Sequence, residues 1–232
     1  QAYPFAKNPK PLPVPAPVVT DVPDPVAPNI SPGPKPPSPA APDTPVGSVD
    51  FVTREGADMP VSRISTRGLV VEQDTPESEA EMSAYRMSQP YPAGTRFRFY
   101  LSTKTEGYIY AFASDLTRKV TKIFPYEPGL SPLVGTDSVI AFPADDKVIR
   151  MDEQAGTDYL LILFSQQALD IEKMTAAMNG VDGGLTLKIE SALGPALVAR
   201  EKITFQPGRV SFSVKPDAKG TVVPVMIEIN RK

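Results

Sequence analysis

The chain has 232 residues, a formal net charge of -3 and a pI near 5.2, and it contains no cysteine, histidine or tryptophan. That balance leaves no basic footprint for nucleic acid. Cysteine absence excludes disulfides, thiolate zinc sites and thiol nucleophiles, and histidine absence removes the commonest general base and transition-metal ligand.

The first segment, residues 1–45, holds 16 of the 28 prolines. Each proline fixes φ, removes a backbone donor and pushes the preceding residue toward extended geometry. The segment is expected to be an extended polyproline II arm, with a reach of at most about 140 Å at about 3.1 Å per residue. Its Lys7, Lys10 and Lys35 balance Asp21, Asp24 and Asp43, so it is a poor electrostatic anchor. Apolar residues stand between its prolines, and an extended, stiffened chain loses less entropy on docking than a flexible one. Tyr3, Phe5, Leu12, Val14, Val18 and Val19 are therefore the candidate partner-binding residues, with Tyr3 and Phe5 as aromatic anchors. The chain starts at Gln1, and removal of a signal peptide is the expectation drawn from that start.

Residues 46–232 are long enough for one domain with a sizeable core. An alternative division takes 46–94 and 185–232 as flanking strands around a core at 95–178. Val49 to Val52 and Gly68 to Val71 read as short strands. Pro76 to Met87 reads as a helix, with Thr75 as N-cap and acids in the first turn. Arg96 to Leu101 alternates with period two, and Gly107 to Ala113 is almost wholly apolar, as a central strand covered on both faces should be. Arg118 to Phe124 alternates again across a hairpin-length link. A loop follows over Pro125 to Thr136. Ser138 to Phe142, Lys147 to Arg150 and Asp158 to Phe164 read as further strands. Gln166 to Met178 carries a helical apolar stripe and stops at Asn179-Gly180. Leu185 to Glu190, Ala199 to Phe205, Arg209 to Val214 and Thr221 to Ile229 read as strands. The sum predicts a mainly β fold: an antiparallel β-sandwich with one or two helical insertions, preceded by the arm.

The run from Gly107 to Phe112, with Asp115, Val120 and Ile123-Phe124-Pro125, resembles a bacterial domain-of-unknown-function family. The resemblance extends through Pro143 and Ala155 to Ser165, and covers about Thr95 to Leu169. That family has a Gly-Tyr-x-Tyr-x-Phe strand, a Phe-Pro ending and a Pro-Gly-x-Glu before the next core strand. This chain departs from it at Ala155 and Asp158, where proline and glutamate are usual. The resemblance implies a non-catalytic accessory domain of exported or envelope proteins, found also fused to kinase and caspase-like modules. It supplies no active site.

Other motifs favour structural readings. Asp145, Asp146, Asp152 and Glu153 offer oxygen ligands but lack calcium-loop spacing, so no metal is expected. The stretch Asn179 to Gly184 lacks the lysine of a phosphate loop and reads as a turn. Ser114, Ser138 and Ser165 have no histidine to activate them, and Ser102-Thr103-Lys104 is one residue short of a Ser-x-x-Lys pair. Tyr108 and Tyr110 read as core and sheet-face aromatics, and Arg96 and Arg98 as a solvated strand face. The chain is thus expected to be no enzyme and to hold no cofactor. Its expected role is structural, in a bacterial envelope assembly of the secretion or motor type, periplasmic or outer-membrane-associated. Its partners would be other protein subunits, with no nucleic acid and no membrane span. The alternative is a monomeric periplasmic module that binds a peptide, glycan or lipid, with the arm as spacer.

Overall fold

The computed structural model describes residues 44–64, 83–115, 118–144 and 146–232. Residues 1–43 of the arm, the strand expected at Gly68 to Val71 and the first part of the helix expected from Pro76 lie outside these residues. Thirteen strands are described: β1 Val46–Thr53, β2 Val61–Arg63, β3 Ser83–Met87, β4 Arg96–Thr103, β5 Gly107–Ser114, β6 Val120–Phe124, β7 Leu133–Val134, β8 Ser138–Phe142, β9 Ile149–Arg150, β10 Gly156–Ser165, β11 Ile203–Phe205, β12 Val210–Val214 and β13 Val222–Arg231. Two helices, α1 Ile171–Asn179 and α2 Leu185–Leu193, lie between β10 and β11.

The strands form two sheets. The first runs β11-β12-β1-β4-β8, with β9 beside β4; the second runs β2-β3-β13-β10-β5-β6, with β7 beside β5. Pairing is antiparallel except between β3 and β13. The sheets pack face to face as a sandwich, as the alternating strands predict. Phe51, Phe99, Leu101 and Phe212 of the first sheet share a core with Ile109, Leu160, Ile162, Phe164 and Val225 of the second. Phe164 and Phe212 meet across it with ring centroids 5.7 Å apart. Gly107 makes this packing possible, because a Cβ there would stand 2.6 Å from the Phe164 ring and 2.9 Å from the Ser165 carbonyl.

The two helices cover the outer face of the second sheet and create a second core. Tyr110, Phe112, Leu161, Leu163 and Met226 pack there against Met174, Met178, Leu185 and Ile189, with Tyr108 partly buried beside them. The central strand β5 is therefore covered on both faces, in agreement with its apolar sequence.

Three local readings are corrected. The expected helix ending at Met87 gives way, over its described part, to strand β3. Buried Ala84 and Tyr85 adjoin a register shift opposite Met226 and Ile227, so pairing in the sheet overrides local helix propensity. The expected strand from Leu185 is helix α2: Leu185, Ile189 and Leu193 recur at helical spacing and are buried on one side. Finally, α1 starts at Ile171, not Gln166. The Asp170 side chain caps it by accepting the Lys173 amide at 3.0 Å. The Tyr110 hydroxyl meanwhile holds the Leu169 amide at 2.8 Å, outside the helix.

Candidate functional site

At one end of the sandwich the sheets part around an open cleft of about 280 Å³. Phe97, Ile149 and Met151 of the first sheet and its flank, with Ile123, Leu160 and Ile229 of the second, give it an apolar lining. Asp115, Lys119, Arg150, Asp152 and Asp158 supply its charges.

One buried cation organises the acidic wall. The inward parity of Ile227 and Ile229 along β13 carries on to Arg231, whose side chain is only 4% exposed. Its Nη2 donates to Asp158 Oδ1 at 2.9 Å. Its Nε stands 2.8 Å from Asp158 Oδ2 as an ion contact without hydrogen-bond alignment. The Gln154 carbonyl accepts from Nη1, and Asp152 lies 3.6 Å from the same nitrogen. Burial raises the Asp158 carboxyl above its ordinary range, against the lowering pull of Arg231; Asp115 and Asp152 push the same way as burial. Arg150 pairs with Glu153. The wall is thus a set of mutually held charges beside an apolar floor, which suits binding of a side chain or small ligand.

Several of the residues weighed from the sequence have structural partners. Ser165 is fully buried, and its hydroxyl donates to the Gln167 carbonyl at 2.6 Å while accepting the Gln167 amide at 3.2 Å. Ser114 is buried at the cleft, and Ser138 starts β8. Arg98 donates to the Lys147 carbonyl at 2.9 Å. Asp152 accepts the Glu153 amide at 2.6 Å, and Asp146 is exposed. Asp145 lies outside the described residues. No group of three or more potential metal ligands occurs among the described residues.

The turn after α1 is held by two side chains. Asn179 accepts the Val120 amide at 2.9 Å and donates to the Val120 carbonyl at 2.8 Å. Lys188 is buried and donates to the carbonyls of Met178 at 3.1 Å and Val181 at 2.6 Å, placing its charge at the negative end of α1. Sequence reasoning missed Lys188 because its segment read as a strand, and it missed Arg231, although strand parity pointed inward at that position. The arm residues Tyr3, Phe5, Leu12, Val14, Val18 and Val19 lie outside the described residues, and the structure does not relate them to the cleft.

Residues 90–168 match the model of a family described as a domain of unknown function (DUF4384). The match runs through β4 to β10 and includes much of the cleft lining, and it nearly coincides with the stretch on which the sequence resembles such a family. No curated protein and no solved structure matches the chain. Among the described residues, no helix is long and apolar enough to cross a membrane.

Proposed function

We infer that this protein is a non-catalytic structural subunit of a bacterial cell-envelope assembly, docked to neighbouring subunits through its proline-rich arm. The observation that carries this reading is the arm itself: 16 prolines in 45 residues, with Tyr3, Phe5, Leu12, Val14, Val18 and Val19 set among them. A passive spacer has no use for those apolar side chains; a docking strap presents them to aromatic grooves or sheet edges. The domain supports the reading from its side. It lacks histidine and cysteine, its Ser165 hydroxyl is tied to Gln167, and the family model that it matches is described only as a domain of unknown function. Envelope location, periplasmic or outer-membrane-associated, follows from the family resemblance and belongs to the same proposal.

The test is co-purification from native membranes and periplasm. Removing Gln1 to Lys10, or changing Tyr3 and Phe5 to alanine, should release the protein from its partners while the domain stays folded by circular dichroism. Undiminished co-purification after loss of the whole arm would reduce the arm to a tether. The apolar, charge-rimmed cleft favours a second reading, a periplasmic binding module for a peptide, glycan or lipid, which predicts that cleft variants and not arm variants abolish partner or ligand capture.

A further inference from the structure

The edges of the two sheets are not equally protected. An exposed edge presents unpaired N–H and C=O groups that template pairing with another strand, and proteins blunt such edges with charge, short length or a covering group. Strand β2 has only three residues and ends on Arg63. Strand β11 also has three; Lys202 before it pairs with Asp217, and Arg200 lies over the Phe205 ring at 4.5 Å. On β6 the Asn179 amide takes up both backbone groups of Val120, as a further strand would, and Lys122 pairs with Glu172 of α1.

Strand β8 carries none of these guards along its own length; Asp137, paired with Lys104, stands just before it and Pro143 just after it. Its five residues, Ser138 to Phe142, carry no charge and no proline. Its backbone pairs with β4, and among the described residues no other backbone partner meets it. Val139 is 65% exposed, and Ala141 is exposed on the same outer face. No described helix covers that face of the first sheet.

We propose that β8 is a self-association edge: two copies of this chain pair their β8 strands antiparallel across a two-fold axis, joining their first sheets into one. Self-complementarity favours a second copy over a foreign strand. An uncharged strand meets itself without like-charge repulsion, and every described pairing within this sheet is already antiparallel. With Ile140 at the centre, each Val139 lies opposite the Ala141 of the other copy, so the two exposed apolar residues cover one another. Two five-residue strands bury less than a standard interface of about 1,600 Å², so the dimer is weak and depends on concentration.

The experiment is sedimentation analysis of the full chain from micromolar to millimolar concentration, with hydrogen exchange measured at both ends of the range. The expected result is a mass rising from monomer toward dimer, with β8 amides gaining protection. Val139→Lys, which installs the missing edge charge, should remain monomeric with an unchanged circular dichroism spectrum. Leu187→Lys, at an exposed position on α2, should associate as the parent does. A parent chain that stays monomeric throughout overturns the proposal. So does a dimer that survives Val139→Lys with β8 exchange unchanged, since it would use another surface.

Discussion

Tyr85 joins the two sheets through one hydroxyl. Its oxygen lies 2.8 Å from the carbonyls of Gln206 and Ser211 and accepts the Ser211 amide at 3.1 Å, so a residue of β3 fixes the β11–β12 turn of the opposite sheet. Burial raises its phenol above the ordinary value, outweighing the hydrogen bonds that lower it. In the unfolded chain a tyrosine ionises near pH ~10, whereas folded Tyr85 keeps its proton there. Its contribution to stability is complete below that pH and is lost as pH climbs through the folded value. Tyr110, raised by the same cause, acts with the same sign. Tyr85→Phe should cost about 1–3 kcal/mol at neutral pH, because the Ser211 amide loses its acceptor. It should also flatten, but not abolish, the alkaline fall in stability. Urea midpoints at neutral pH and above pH ~10 measure both. An alkaline fall as steep as in the parent would show that the fall arises elsewhere. Tyr85 was not legible in the sequence. It stands in a run of good helix formers, and only pairing with β2 and β13 makes that run a strand.

At the scale of elements, strong periodic signals survived and short ones did not. β5 and β10 read as covered strands because near-continuous apolar runs need two buried faces, and both faces are buried. Leu185 to Glu190 failed because six residues fit both periods; Leu193, two turns beyond Leu185, decides for the helix. That element matters for what Phe112 does. Phe112 is fully buried, but in the core beneath α1 and α2 and not between the sheets. Phe112→Ala should cost about 3–5 kcal/mol, a large share of a stability of about 5–15 kcal/mol. The loss should be uneven. Hydrogen exchange across residues 171–193 should rise more than across β1 and β4, because those strands rest on the other core. A uniform rise would mean that the two cores unfold as one. The cleft residues were only partly legible: Asp158 stood out in the family motif, while its partner Arg231 lies 73 residues away and is joined to it only by the β10–β13 pairing.

At the scale of the molecule, the proline content drops beyond residue 45, and the first described backbone hydrogen bonds fall at the same place. The Pro45 carbonyl accepts the Val214 amide at 3.0 Å, and the Val46 carbonyl accepts the Lys104 amide at 3.0 Å. Described backbone pairing thus starts at Pro45, one residue before β1. β1 is central in its sheet: Val46 to Val49 pair with β12, and Gly47 to Thr53 pair with β4. Its Val49 and Phe51 enter the sandwich core. Two truncations that differ by only seven residues should therefore behave very differently. Removing residues 1–43 deletes no described strand pairing and should leave the thermal midpoint within a few degrees of the full chain. Removing residues 1–50 takes away the β12 pairing and part of the β4 pairing, buries one fewer valine and leaves the Val214 amide without its acceptor. Buried backbone donors stripped of partners cost about 1–3 kcal/mol each, and several are lost together, so this chain should not fold cooperatively. Calorimetry of the two truncations decides the matter: a cooperative transition in the shorter chain would show that β1 is dispensable, and loss of the transition in the longer one would place part of the fold's stability in the arm.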